Sequence, residues 1–397
     1  MSTNDTNTKK RILIFSTAYL PFIGGAEMAI KEITDRISDI QFDLITAKMR
    51  KDLPFREIIG NITVYRLGIG KPFIDKLILL LEGALFVRHL KKRNDYTAYW
   101  CVMISFSGWA AIINNWFSRK KIPIFLTIQE GDSEKHLKFR WFGLINWSWK
   151  VFLSNASKVT AISNYLIERA RKHGFKGEGY LIPNGVSIEK FSISNSQFSK
   201  KDFGFDSFDT VLVTTSRLVE KNAVGDVIDA LKLLPEDVKF LIIGSGPLER
   251  ELKLKAKNLK LEARIRFLGE INHGEIPKYL HVSDIFIRPS LSEGMGSSFI
   301  EAMAVGLPVI ATPIGGIVDF LFDPVTNPEQ PPTGLFCKIN DPESIVRQVQ
   351  KYLKDENLRK QIILNARRLV SQKYDWDLVA KQMNNQVFSA LETIRNY

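Results

Sequence analysis

The stretch "SEGMGSSFIEAMAVGLPVIATPIGG", residues 292–316, decides the fold. Its apolar residues Phe299, Ile300, Met303 and Ala304 recur at helical spacing, Gly306 suits the left-handed position after a helix, and Pro308 stops continuation. "DIFIRPS" before it reads as a strand and "PVIAT" within it as the next. The pattern is therefore strand, loop over Pro289 to Gly296, helix over Ser297 to Val305, strand, the repeat of a parallel α/β sheet. Two carboxylates sit in this turn, Glu293 and Glu301, eight positions apart. Ser298-x-x-Glu301 spells a capping box, in which the glutamate would accept a backbone N–H. Glu293 has no such role open to it. An ionised carboxylate in a glycine-rich loop at a strand end suits recognition of hydroxyls, because it accepts two or more O–H bonds.

Working outward, the same alternation runs along the whole chain of 397 residues. Short apolar runs ("RILIFS", "FDLIT", "ITVYRL", "IPIFLTI", "KVTAIS", then "TVLVTTS", "VKFLIIG", "IRFLG") are separated by helical segments such as Glu27 to Ile37, Asn222 to Leu234 and Leu248 to Leu259. The series runs twice. Between the two runs, a Ser-, Asn-, Gly- and Lys-rich segment near residues 183–209 reads as a hinge or linker. In such sheets ligands bind beyond the carboxyl ends of the strands. Gly24-Gly25 opens a helix after the first strand, where backbone can approach a phosphate. Arg217 and Lys221 lie in the loop after "TVLVTTS" and suit a diphosphate; Gly244-Ser245-Gly246 marks a third strand end.

Composition narrows the alternatives. The net charge is +12, and residues 1–190 hold 29 Lys+Arg against 17 Asp+Glu while residues 191–397 hold 26 against 26, so the surplus lies in the first half. That asymmetry suggests an anionic partner or a solubilising excess of lysine. No nucleic-acid-binding motif accompanies it, and no nucleic-acid partner is expected. The two cysteines, Cys101 and Cys337, imply neither a disulfide framework nor a metal site, and no apolar run is long enough to cross a bilayer. A cytoplasmic protein is expected. Two segments, 71–93 and 136–158, mix apolar or aromatic residues with basic ones and suit either packing inside the first domain or a surface resting on anionic lipid.

The spacing Glu293-x7-Glu301, followed by "EAMAVGLPVIATPIGGIVDFL", resembles the E-x7-E motif of the family 4 glycosyltransferases of the GT-B fold. The likeness covers nearly the whole chain: "YLPFIGGAE" resembles the family's first loop, "IPNGVSIEKF" its link into the second domain, "RLVEKN" its diphosphate loop and "YDWDLVAKQMNNQVF" its helix returning to the first domain. The resemblance implies an α/β protein of two Rossmann-like domains with parallel sheets facing a central cleft. An acceptor-binding domain would span 1–190, completed by a C-terminal helix over 375–397, and a donor-binding domain would span 191–374.

It implies retaining transfer of a hexosyl unit from a UDP- or GDP-sugar to a glycan or lipid-linked acceptor, with no cofactor and no metal, in cell-surface polysaccharide or glycolipid synthesis. An anionic membrane surface would be a further partner, the protein lying peripherally on the cytoplasmic face. Glu301 would bind the ribose and Glu293 the transferred sugar. Arg217 and Lys221 would neutralise the diphosphate. Gly24, Gly25, Gly244 and the N–H groups of Gly294, Met295 and Gly296 would lie against phosphate and sugar, and the base would meet the backbone around Gly269 to Ile271. Asp375-Trp376-Asp377 matches a metal-binding D-x-D pattern but opens the last helix, where acids are expected. Two departures stand out. Gln129 stands where the family commonly has a histidine, His136 lying too far along to replace it. The "RLVEKN" loop is a residue short, with Asn222 in place of glycine. They point to altered donor choice, or to a catalytically impaired relative acting as a membrane-surface or nucleotide-binding protein.

Overall fold

The computed structural model describes residues 10–131, 144–192 and 198–389. The chain divides into two compact units, residues 1–184 with 376–397 and residues 185–375.

The first unit is built on an eight-stranded sheet. Its strands are β1 (Lys10–Phe15), β2 (Ile40–Ala47), β3 (Arg56–Ile59), β4 (Ile62–Leu67), β5 (Ala98–Val102), β6 (Ile124–Ile128), β7 (Lys158–Ala161) and β8 (Gly179–Leu181), in the order β3-β4-β2-β1-β5-β6-β7-β8. Every pairing is parallel except β3 with β4, a hairpin turning at Gly60 with φ +56°. Helices α1 (Gly25–Asp35), α2 (Pro72–Lys91), α3 (Phe106–Trp116), α4 (Leu144–Asn155) and α5 (Asn164–Lys172) connect the strands. Helices on both faces explain why β5 and β6 are buried at every position, and hence why strands here read as continuous apolar runs. The carboxylate of Asp75, wholly buried, accepts N–H groups of Met49, Ile69, Gly70 and Lys71 at 2.8–2.9 Å and so ties the start of α2 to two loops.

The C-terminal segment completes this unit. Helix Trp376–Met383 and the wider turn Asn384–Phe388 place Val379, Met383, Val387 and Phe388 in its core, and the Phe388 ring meets Trp100 at 5.3 Å and Phe42 at 5.9 Å. Asp377, from the D-x-D pattern, pairs with Arg36 at 2.5 Å.

The second unit opens with a short helix, α6 (Ile188–Ser192), and the turn Lys200–Phe203, so the segment expected as a bare linker carries structure. Its six strands are β9 (Thr210–Thr215), β10 (Val238–Ile243), β11 (Ile265–Gly269), β12 (Ile285–Arg288), β13 (Val309–Ala311) and β14 (Leu335–Phe336), all parallel, in the order β11-β10-β9-β12-β13-β14. The helices α7 (Val224–Leu233), α8 (Glu249–Asn258), α9 (Ile276–His281), α10 (Ser297–Val305), α11 (Pro342–Lys354) and α12 (Glu356–Lys373) cover it. Strand order reverses between β9 and β12. The loops after these two strands therefore flank the switch point where doubly wound sheets take ligands.

Candidate functional site

Loop 289–296 is fastened before it can present anything. Leu291 N–H donates to the Lys221 carbonyl at 2.7 Å, joining the loops that follow β12 and β9, and Thr312 Oγ1 donates to the Ser290 carbonyl. Gly315, at φ +53°, lies so close that a Cβ there would stand 1.9 Å from the Glu293 carbonyl oxygen. Gly296 adopts φ +89° and N-caps α10 with backbone alone. Among the described residues no acceptor takes the N–H groups of Gly294, Met295 or Gly296. They are donors at the head of a helix, aimed where an anion is favoured. The Met295 side chain itself is buried, so only its backbone is offered.

Glu293 is held by a residue that the sequence pattern did not single out. Arg288, the last residue of β12, is buried; its Nη2 lies 2.8 Å from Glu293 Oε1, its Nη1 donates to Ser298 Oγ at 2.8 Å and its guanidinium lies 4.3 Å from the centre of the Phe299 ring. Ser290 Oγ donates to the same Glu293 oxygen at 3.3 Å. Both contacts fall on the one oxygen, Oε1. A charged residue ending an otherwise apolar strand, "IFIR", was the available signal. Removing one member of a buried ion pair leaves the other uncompensated, at a cost of about 3–5 kcal/mol. Arg288→Met is therefore expected to lower the urea midpoint of unfolding by that much stability, and adding Glu293→Leu should recover part of it. Additive losses in the double variant would contradict the pairing.

Glu301 does not form the expected capping box. Gly296 is the N-cap, which places Glu301 in the second turn of α10, and its Oε1 sits 2.8 Å from His273 Nε2. Ser298 is instead engaged by Arg288. With Glu301 only 9% exposed, the imidazole replaces part of the water the carboxylate gives up. His273, in the turn after β11, is thus a second residue that the spacing did not reveal, since it lies 28 positions away.

Arg217 and Lys221 lie where the sequence places them, in the loop after β9. Asn222 Nδ2 donates to the Arg217 carbonyl at 2.7 Å and Ala223 takes φ +48°, so the shortened loop closes on an asparagine side chain. Arg217 is exposed and Lys221 half-buried. Gly244 and Gly246 serve close packing. A Cβ on Gly244 would stand 2.0 Å from the Ser216 carbonyl oxygen, one on Gly246 2.4 Å from that of Leu218, and the Gly244 N–H is taken by the Gly269 carbonyl at 2.7 Å.

The remaining candidates belong to the first unit. Gly24 N-caps α1, and the Glu27 carboxyl folds back toward the N–H groups of Gly24 and of its own residue; burial pushes its pKa up against those bonds. Gln129, just past β6, accepts from Asn184 Nδ2 at 3.2 Å, while the neighbouring Glu130 accepts the N–H of Ile104 and offers its carbonyl to Arg169 at 3.0 Å. His136 lies outside the described residues. Among the described residues no three His, Cys, Asp or Glu side chains are grouped to hold a metal.

The chain is 24% identical over 371 residues to the uncharacterized glycosyltransferase MJ1178 of Methanocaldococcus jannaschii, covering 92% of this chain and 94% of that one. The sucrose-phosphate synthase of Thermosynechococcus elongatus superposes with a TM-score of 0.83 at 20% identity, over 97% of this chain and 100% of that one. Anabaena HepE in complex with UDP-glucose superposes at 0.76, also at 20% identity, over 96% and 99%. The family model for glycosyl transferases group 1 matches residues 195–369, and that for glycosyltransferase family 4 matches residues 23–190. The chain belongs to the family 4 glycosyltransferases and has their GT-B fold.

Proposed function

We propose that this glycosyltransferase moves a hexosyl unit from a UDP- or GDP-sugar to a glycan or lipid-linked acceptor, with retention at the anomeric carbon and without a metal, in the synthesis of a cell-surface polysaccharide or glycolipid. The enzyme would work peripherally at the cytoplasmic face of a membrane. The observation that carries the reading is the pair of glutamates eight positions apart: Glu293, clamped by Arg288 through one carboxylate oxygen, and Glu301, in the second turn of α10 and held by His273. Glu301 would accept the ribose hydroxyls and Glu293 those of the transferred sugar.

The departing diphosphate needs its charge met as the glycosidic bond breaks. Arg217 and Lys221 would supply fixed cations, and the N–H groups of Gly294 to Gly296 would supply the donors at the helix head. That set does the work a divalent ion does elsewhere. The test is a panel of UDP-glucose, UDP-galactose, UDP-N-acetylglucosamine and GDP-mannose, each incubated with and without EDTA and followed by proton NMR. One α-linked donor should be consumed, the first-formed sugar should keep the α configuration, and EDTA should leave the rate unchanged. Consumption of none, a β product, or arrest by EDTA would each contradict the reading.

A further inference from the structure

The first unit carries a helix with two apolar faces. On its inner side α2 places Leu79, Val87 and Leu90 in the interior, and Gly83 lets α3 approach until a Cβ would stand 2.9 Å from Ala110. Its outer side carries a second apolar row, with the exposed Glu82 beside it. Phe73, Leu77, Leu81 and Leu85 recur every fourth residue and are exposed, Leu81 by 68% and Leu85 by 64%. An apolar helix face is ordinarily enclosed or in contact with lipid, and among the described residues this one is left exposed. Single exposed leucines need no explanation; a continuous row along three turns does.

The row ends in a cluster of cations and aromatic rings. The C-terminal ends of α2 and α3 lie side by side, with Lys91 Nζ 3.0 Å from Ser118 Oγ and the Arg88 guanidinium 5.9 Å from the centre of the Phe117 ring. There Arg88, Lys92, Arg93, Arg119, Lys120 and Lys121 are all exposed, with Asp95 as the acid among them. Phe117 is 73% exposed, and Trp116 and Trp147, both about half exposed, flank Trp109, on which Trp147 stacks at 5.0 Å. Helix-end cations alone would be accounted for by the dipole. Exposed tryptophan and phenylalanine beside them would not, and that combination is what an interfacial surface presents to headgroups and acyl chains.

We propose that the outer face of α2, with the adjoining ends of α2 and α3 and the Trp109–Trp147 pair, docks on an anionic phospholipid bilayer. The leucine row enters the headgroup–acyl boundary, the rings sit at headgroup level and the cations meet lipid phosphates. No helix among the described residues is long and apolar enough to cross a membrane, so the contact lies along the surface. Charge complementarity selects this occupant, because the six exposed cations beside the apolar row match anionic headgroups. The face accounts for part of the positive surplus of residues 1–190. It rests on the membrane-bound acceptor proposed above and gives that reading its partner surface.

The test is co-sedimentation of the full chain with vesicles of phosphatidylglycerol and phosphatidylcholine mixed, and of phosphatidylcholine alone. Calorimetric titration with UDP and GDP is run on the same preparations. The parent protein should bind the anionic vesicles and bind neutral ones at least ten-fold more weakly. Leu81→Glu with Leu85→Glu should reduce anionic binding more than ten-fold. Arg119→Gln with Lys120→Gln should reduce it by roughly 25-fold, at about five-fold per cation lost near the surface. Nucleotide binding should stay unchanged in both variants, which also shows that they fold. Vesicle binding that ignores either substitution, or nucleotide binding with no vesicle binding, would overturn the face and leave the transfer reaction standing. A concentration-dependent dimer abolished by Leu81→Glu would likewise overturn it. Face-dependent vesicle binding in a protein that takes no nucleotide would support the face and sink the transfer reaction.

Discussion

Replacing Arg217 and Lys221 together by alanine is expected to lower turnover by about 10²–10³-fold while raising the KM for the donor far less. The loss follows from where charge develops. In the ground state the diphosphate carries its charge in solvent as well as in the site, whereas the transition state adds charge to the leaving oxygen as the sugar departs. Removing one preorganised donor aimed at such an oxygen costs about 3–4 kcal/mol, and with Arg217 exposed and Lys221 half-buried the pair together is set at about that figure. Both residues ride on a loop that other groups also hold. Asn222 closes it through the Arg217 carbonyl and Leu291 N–H binds the Lys221 carbonyl. The double variant should therefore keep its fold and its circular dichroism. A fall of less than ten-fold, or a rise in KM with kcat unchanged, would mean that these cations bind substrate without acting on the reaction.

Glu301→Ala should weaken nucleotide binding by about 150-fold or more, the loss of two hydroxyl bonds to a charged acceptor at about 1.5 kcal/mol or more apiece. The effect belongs to the ribose and can be separated from any change in shape. A 2′,3′-dideoxy nucleotide offers no hydroxyl, so it should bind the parent and the variant alike. His273→Ala should cost only a few-fold, since it frees the carboxylate to take water while leaving it in place beside the ribose. Equal weakening of nucleotide and dideoxy nucleotide by Glu301→Ala would assign Glu301 to the frame of α10 and not to the ligand.

Much of this was legible in sequence, for a physical reason. Helix α10 falls on the residues 297–305 read from its spacing, because Gly296 and Gly306 at its two ends both adopt left-handed backbone, which side chains other than glycine rarely take. Central strands of parallel sheets are buried on both faces, so "RILIF" and "FLII" stand out as apolar runs. Strand β5 escaped notice although it is buried throughout, because "AYWCV" is short and aromatic where its neighbours are aliphatic. The edge strands β3, β8 and β14 have at most four residues each, too few for any period to register.

At the candidate site, the loop residues were legible because a glycine-rich turn at a strand end is a local pattern. Arg288 carried only the faint signal of a charge ending an apolar strand, and His273 none, because its partner lies 28 positions away. The capping box failed for the same reason. Ser298-x-x-Glu301 has the right letters, but a helix starting one residue past Gly296 places both side chains beyond the cap, where Arg288 and His273 claim them. The segment 71–93 was read as either core or lipid-facing; the helix is core on one side and bare on the other, a distinction that average hydropathy cannot draw.

The central claim, a nucleotide-diphosphate donor held by the second unit, is tested most directly by isothermal titration of UDP, GDP and ADP into the purified protein, with Glu301→Ala and Arg217→Ala alongside. One nucleotide should bind, and both variants should weaken that binding without losing their fold, Glu301→Ala by the larger factor. No binding by any of the three in folded protein, or binding that both variants retain, would contradict it.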